Sequence, residues 1–478
     1  MACQRFTSQM LLTQFIPRRL HRHPFPSFLF RRQIPQVRCS SGQSAVGSVT
    51  ELLEKIQTTT KIYLDFVKSQ GLPEPSYQHG DGSVPGLRLP HGVQEAKEVA
   101  IEATYELHNL LLGPLGLLLS CPGDQLLLLS LQYIYRHQIA ENVPLEDTIT
   151  FDELAQVTKL NSKDLTRFLR VAISRHVFQE PKKGVIGHTA ASKLLCKNPM
   201  LKAWLLNIAE EFWPAFTRTV DATEKWPGSE EPNETGYSLA HGTRDNPFNE
   251  IRKDHHRHQQ FITAMRFSHL HPDYNISYLL NHYKFGDTGS DDKSTRTVVD
   301  IGGSNGEVAI EIASRYSHVS CIVQDLPDTI AGLQSQVPLA LKGRVTGMAH
   351  DFLTPQPVHG ADIYLLRWIL HDWSDAYCVK ILQNLIPALK QGARIVVNDI
   401  SIPEPGQLGI KAERDLRYMD ISMKAFNNAR ERDVEAWESL FTEADSRFRF
   451  LGVSMPPGAR MSIIEAEWMG DKTPLPTC

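Results

Sequence analysis

The chain has no CxxC pair, no apolar run approaching the about 18 residues that span a bilayer, and no acidic residue among its first 50. Its seven cysteines (Cys3, Cys39, Cys121, Cys196, Cys321, Cys378 and Cys478) are odd in number and scattered over 478 residues. That spread argues against a disulfide framework and a structural zinc site, and it fits a reducing compartment. The richest apolar stretch, LLLGPLGLLLS from Leu110, is broken by Gly113 and Pro114 and followed by CPGD. It reads as buried helix and turn, with no membrane partner implied. The net charge is only −4, but seven arginines in the first 50 residues mask a body with 43 basic against 54 acidic residues. A nucleic-acid-binding body would lean the other way.

What is present points to ordinary cores: 41% hydrophobic and 22% charged residues, in a length that allows roughly two to four domains. Residues 1–45 are Arg-rich and acid-free, a composition shared with mitochondrial transit peptides, although Pro17, Pro24, Pro26 and Pro35 interrupt any amphipathic helix. They are expected to form a disordered basic extension on a cytoplasmic protein, with mitochondrial targeting as the alternative. Residues 46–94 read as one helix and a Gly/Pro-rich linker. Residues 95–200 read as helical and end in FDELAQVTKLNSKDLTRFLRVAISRHVFQEPKKGVIGHT. This gives a helix, a turn at Asn161–Ser162, a second helix and a ribbon through Gly184 and Gly187, the layout of a winged helix-turn-helix. In regulators such a second helix reads DNA, here with Lys163, Arg167, Arg170 and Arg175; the same layout also serves for dimerisation. Residues 201–290 read as connecting helices with core aromatics such as Phe212 and Phe216. The HHRH run at His255–His258 lacks the spacing of a helical zinc site and reads as a solvated face.

From Thr297 the pattern alternates strand and helix. TVVDIGG, VSCIVQD, VTGMAHD, ADIYLLR and ARIVVND read as strands, and FRFLGV and MSIIEAEW as a hairpin around PPGA. The expectation is an α/β fold, with a Rossmann-like seven-stranded sheet over 291–470. In open parallel sheets ligands bind at the C-terminal ends of the strands, so Asp300, Asp325, Asp351, Arg367 and Asp399 should line one crevice. The loop DIGGSNGEV carries Gly302, Gly303 and Gly306 but not GxGxxG, which disfavours a dinucleotide. Asp300 beside it suits a cationic ligand with an amino-acid end, and Asp325 can accept both ribose hydroxyls of a nucleoside.

The run LLRWILHDWSD, together with Asp399 and the later NARERD, resembles the plant-type and fungal small-molecule O-methyltransferases that use S-adenosylmethionine. The resemblance covers roughly 95–470. It implies a helical, winged-helix-like dimerisation domain before the methyltransferase domain, a homodimer, an aromatic small-molecule acceptor and no metal. Residue by residue it assigns Asp300, Gly302 and Gly303 of VVDIGGSNG to the cofactor loop, and Asp325 and Leu326 of QDLP to the ribose. Asp351 and Phe352 match the adenine side and Arg367 a cofactor contact. His371 matches the general base, with Asp399 and Glu431 as its flanking acids. Trp368, Phe261, Met265, Met423, Phe426 and Asn427 fall where family members line the acceptor pocket. Three departures stand out, one of them the basic N-terminal extension, which the resemblance does not explain. Ser304 replaces a frequent third glycine and restricts the loop; Asp399 replaces the usual plant Glu, implying a different contact to the histidine.

The chemistry needs these residue types. A phenol with pKa near 10 is a poor nucleophile at neutral pH, and an imidazole in reach can take its proton. A carboxylate on the other ring nitrogen fixes the tautomer and favours the imidazolium. Alignment of oxygen, methyl carbon and sulfur supplies the rest. The expected reaction is methylation of an aromatic hydroxyl, as in polyketide and other secondary metabolism. The rival readings are a winged-helix DNA-binding regulator with a ligand-sensing α/β domain, and a catalytically silent member of the same fold.

Overall fold

The computed structural model describes residues 48–78, 89–270, 272–286 and 295–470; the basic extension, part of the linker and the last eight residues lie outside these. The helix-turn-helix segment is set by its caps. Thr150 and Glu153 exchange bonds in a capping box that opens the helix Phe151–Thr158. Asn161 accepts from the Lys163 and Asp164 amides to open Ser162–Ser174. Leu165, Leu169 and Ala172 bury one stripe of the second helix in a core with Phe151, Leu154 and Ile186. Strands β1 (Thr148–Thr150), β2 (Phe178–Lys182) and β3 (Val185–His188) form the wing, antiparallel in the order β1-β3-β2. The ribbon passes through both expected glycines: the turn falls at Gly184, φ +83, and Gly187 lies inside β3. Arg170 donates to Glu180 at 2.8 and 3.0 Å, and Arg175 to Asp124 at 2.8 Å. Two of the four bases a DNA reader would offer are thus engaged by acids of the same module.

The leucine run corrects the sequence reading. It is helical, within His91–Ser120 and kinked at Gly113, but Leu111, Leu115, Leu118 and Leu119 are 72%, 69%, 73% and 71% exposed. Leucine on every side of a helix needs covering from every side, and the described residues do not supply it. No single helix among them is long and apolar enough to cross a membrane; His91–Ser120 and Gly123–Arg136 meet that condition only as a pair, bent by 56°. Phe216, expected in a core, is exposed.

The main sheet comprises β4 (Arg296–Ile301), β5 (Val319–Asp325), β6 (Val345–Ala349), β7 (Ile363–Arg367), β8 (Arg394–Asp399), β9 (Phe448–Ser454) and β10 (Ser462–Trp468). Its order is β6-β5-β4-β7-β8-β10-β9; the first five are parallel and β10 runs antiparallel to both neighbours. All seven expected strands are present. Val299, Tyr364, Leu366, Ile395 and Val397 pack one face against Ile381, Leu385, Trp437 and Phe441. Val298, Ile363, Leu365 and Val396 pack the other with Ala309 and Ile312. Burial on both faces is why these strands read as unbroken apolar runs. The chain leaves β4 towards β5 on one side and returns to β7 on the other, so a crevice opens between the C-terminal ends of β4 and β7.

Candidate active site

That crevice is a cavity of about 280 Å³. Asp300, Gly302, Gly303, Ser304, Asn305, Asp325, Arg367, Trp368 and Asp372 line its sheet side. Phe248, Arg252, His258, Phe261, Met265 and Arg266 line the helical side.

The glycine loop is shaped by what presses on it. A Cβ on Gly303 would lie 2.6 Å from Asp300 Oδ2 and 2.8 Å from Val323 Cγ1, and one on Gly302 would lie 2.3 Å from Ile369 Cδ1. Gly302 also sits at φ +69, where side chains are strained. Ser304 takes φ +49, so this residue bears the cost that a glycine would avoid. Its amide donates to Asp325 Oδ2 at 3.0 Å, and the Leu326 amide donates to Oδ1 at 2.7 Å. Both bonds fix the Asp325 carboxylate at the rim of the cavity, while burial raises its pKa. Asp300 is fully enclosed, and its Oδ2 has no hydrogen-bond partner among the described residues; burial, opposed by Arg367, pushes its pKa up to about 7. An unsatisfied buried carboxylate beside side-chain-free backbone and a second, rim-placed carboxylate make a set of acceptors that fits a nucleoside with a cationic amino-acid end.

Arg367 donates to the Asn398 side chain and the Tyr274 carbonyl. Burial lowers its pKa to about 10 against the pull of Asp399 and Asp300. The next residue, Trp368, is held at φ +56 and sets its indole against the His371 ring, 4.7 Å between centroids. Strain of this kind is stored where a side chain must be aimed. His371 lies in the single turn Leu370–Asp372. Its Nδ1 meets Glu431 Oε1 at 3.0 Å and its Nε2 faces Asp372 Oδ1 at 3.4 Å. Burial alone would favour the neutral ring, but Asp372 and Glu431, then Asp399, hold it positive and push its pKa to about 10.

Asp399 does not touch the imidazole. Its Oδ2 accepts the Leu370 and His371 amides at 3.1 and 3.3 Å, so it holds the turn that presents the ring. Burial, opposed by His371, pushes its pKa to about 7. Arg432, wholly buried, donates to the Leu370 and Trp373 carbonyls at 3.0 and 2.8 Å and to Asp375 at 2.8 Å, fastening the Glu431 segment to the same turn.

The structure brings Phe261, Met265 and Trp368 to the cavity surface but not Met423, Phe426 or Asn427. Those three are buried one layer behind, where Phe426 stacks on Phe212 at 4.5 Å. Leu326 and Asp351 also stay outside the lining; Asp351 Oδ1 accepts the Leu353 amide at 2.9 Å. Phe352 approaches the loop, 3.9 Å from where a Gly302 side chain would begin.

Besides Phe248, Arg252 and Arg266 of the cavity wall, several residues escaped the sequence reading. Asp372 shares the cavity and the imidazole with no signal beyond adjacency to His371. In HHRH, His258 lines the cavity rather than a solvated face. Arg257 forks onto the buried Glu211 at 2.8 and 2.9 Å. The spacing His258, Ile262, Met265 along the helix His255–His269 was the available sign of a shared face.

Comparison with known proteins gives this arrangement its family. An O-methyltransferase domain model matches residues 227–447. The chain is 37% identical over 431 residues to the grayanic acid biosynthesis cluster O-methyltransferase of Cladonia grayi, covering 90% of this chain and 89% of that one. It is 37% identical over 432 residues to the chlorophenol O-methyltransferase of Trichoderma longibrachiatum, covering 89% and 91%. Among solved structures, that of OxaC superposes with a TM-score of 0.70 at 23% identity, over 88% of this chain and 98% of that one, which shows the shared fold. The chain belongs to the S-adenosylmethionine-dependent small-molecule O-methyltransferases. The DNA-binding reading finds no support among these relatives.

Proposed function

We propose that the acceptor is a phenolic hydroxyl of an aromatic secondary metabolite, with His371 as the general base. The carrying observation is the His371–Glu431 contact at 3.0 Å, which leaves Nε2 on the side of the cavity-lining Asp372. S-adenosylmethionine supplies the methyl on a sulfonium. Asp300 would hold its amino-acid end and Asp325 its ribose. Glu431 keeps the Nδ1 proton, so that Nε2 is the nitrogen that takes the acceptor's proton once the ring is neutral. Asp399 fixes the turn, Phe261 and Trp368 supply flat aromatic surface for the acceptor ring, and Met265 adds a flexible apolar one. The names of the two relatives, one from a metabolite cluster and one acting on chlorophenols, support this acceptor class. The test is to incubate purified protein and methyl-labelled cofactor with extracts of the producing organism. A labelled aromatic methyl ether is expected; label confined to nitrogen, carbon or carboxyl groups would refute the reading.

The active form is, in this proposal, a homodimer assembled through the segments before residue 200. The exposed Leu111, Leu115, Leu118 and Leu119 motivate it, since so many exposed leucines in one short stretch are costly in water. Sedimentation at micromolar concentration is expected to give a dimer, and a monomer there would contradict it.

A further inference from the structure

The helix Ile410–Asn427 runs behind the aromatic wall of the cavity and ends near the Glu431 segment. Its Phe426 stacks on Phe261 (6.2 Å, 6° between rings) and meets Phe248 edge-on (5.7 Å, 83°), and both partners line the cavity. Asn427 donates to the Asp372 carbonyl at 2.7 Å, and Asp420 accepts the Glu431 amide at 2.9 Å. One helix therefore backs the acceptor wall and holds the backbone of the acid that binds His371.

This helix has no cap of its own, because the residue at its N-cap is Gly409. The cap comes from elsewhere in the chain. Glu102, in the helix His91–Ser120, accepts the Lys411 amide on Oε2 at 2.9 Å and the Ala412 amide on Oε1 at 2.8 Å. These are the amides that an N-cap side chain normally takes, and the carboxylate also meets the positive end of the helix. A Cβ on Gly409 would lie 2.5 Å from the Glu102 carboxyl carbon, so the glycine makes room for the visiting acid. Three residues on, the ring of Tyr105 lies 4.5 Å from the Arg414 guanidinium, a second contact between the same two helices.

We infer that Glu102 is a positioning residue for methyl transfer. As a cap donated by the leucine-rich helix, it makes the acceptor wall and the Glu431–His371 contact, about 22 Å along the helix, depend on that helix being docked. The inference rests on the reading of the cavity wall as the acceptor site. The cofactor loop is carried by β4 and β5, so cofactor binding should be indifferent to the cap.

The experiment compares full-length wild type, Glu102→Ala, Glu102→Gln and the double variant Glu102→Ala/Gly409→Asp. Acceptor kinetics use the parent phenol of the labelled product, and cofactor binding is titrated with S-adenosylhomocysteine. Glu102→Ala is expected to lose about three- to thirtyfold in acceptor kcat/KM, mainly through KM, with S-adenosylhomocysteine affinity unchanged. Glu102→Gln, which keeps one accepting oxygen, should lose less. The Gly409→Asp change puts a carboxylate at the helix's own N-cap, in the space vacated by the Glu102 side chain, so the double variant should recover to within about twofold of wild type. Wild-type kinetics in Glu102→Ala, parallel loss of cofactor affinity, or failure of the double variant to recover would each overturn the inference. Amide exchange supplies a readout independent of activity. Glu102→Ala should exchange faster across the first turns of Ile410–Asn427, and unchanged exchange would overturn the capping role even if no phenol proved to be a substrate.

Discussion

His371→Ala is expected to lower turnover by roughly 10²–10⁴ while leaving S-adenosylhomocysteine affinity nearly unchanged. The imidazole touches Glu431, Asp372 and the Trp368 ring, and none of the contacts of the glycine loop. The pH dependence follows from its raised pKa of about 10. Only the neutral ring accepts a proton, so wild-type kcat/KM should rise with pH up to that value. In the variant the phenol must ionise unaided, with a pKa also near 10 for an unsubstituted ring. Both profiles therefore climb towards alkali, and the size of the loss, rather than the position of the limb, identifies the base. Steady-state kinetics at several pH values with one acceptor checks this.

Asp325→Ala is expected to weaken S-adenosylhomocysteine binding by about 1–3 kcal/mol, the range for hydrogen bonds to a charged group. Its two oxygens already accept the Ser304 and Leu326 amides, so the change also leaves two backbone donors of the loop without partners. Ser304, already at φ +49, would lose the bond that holds it there. Calorimetric titration giving wild-type affinity would remove Asp325 from the cofactor site.

How far the sequence carried this picture depends on what kind of burial each element has. ADIYLLR and ARIVVND were legible as strands because a parallel strand covered on both faces must be apolar throughout. The edge acids followed from the rule that ligands sit at strand C-termini, and β4 and β7 open where that rule requires. His371 and Glu431 lie 60 residues apart, and only the family resemblance joined them before the fold did. The leucine run misled because an apolar pattern does not say whether the chain itself covers it, and here Leu111, Leu115, Leu118 and Leu119 stay exposed. Phe426 and Met423 misled for a related reason: a residue lining a pocket and one packed behind it are chosen from the same side chains. The Glu211–Arg257 pair and the Glu102 cap join positions 46 and more than 300 residues apart, and charge patterning along one helix holds no information about either.

The central claim, proton removal by His371, is tested most directly with phenols of graded acidity. Wild type and His371→Ala would be compared at pH 7 on phenol and a series of increasingly chlorinated phenols. If the imidazole takes the proton, the loss in kcat/KM should be greatest for phenol and shrink as chlorination lowers the acceptor pKa. It should approach unity for acceptors that are already ionised in solution. An equal loss across the whole series would contradict the account and leave His371 with a purely positioning role.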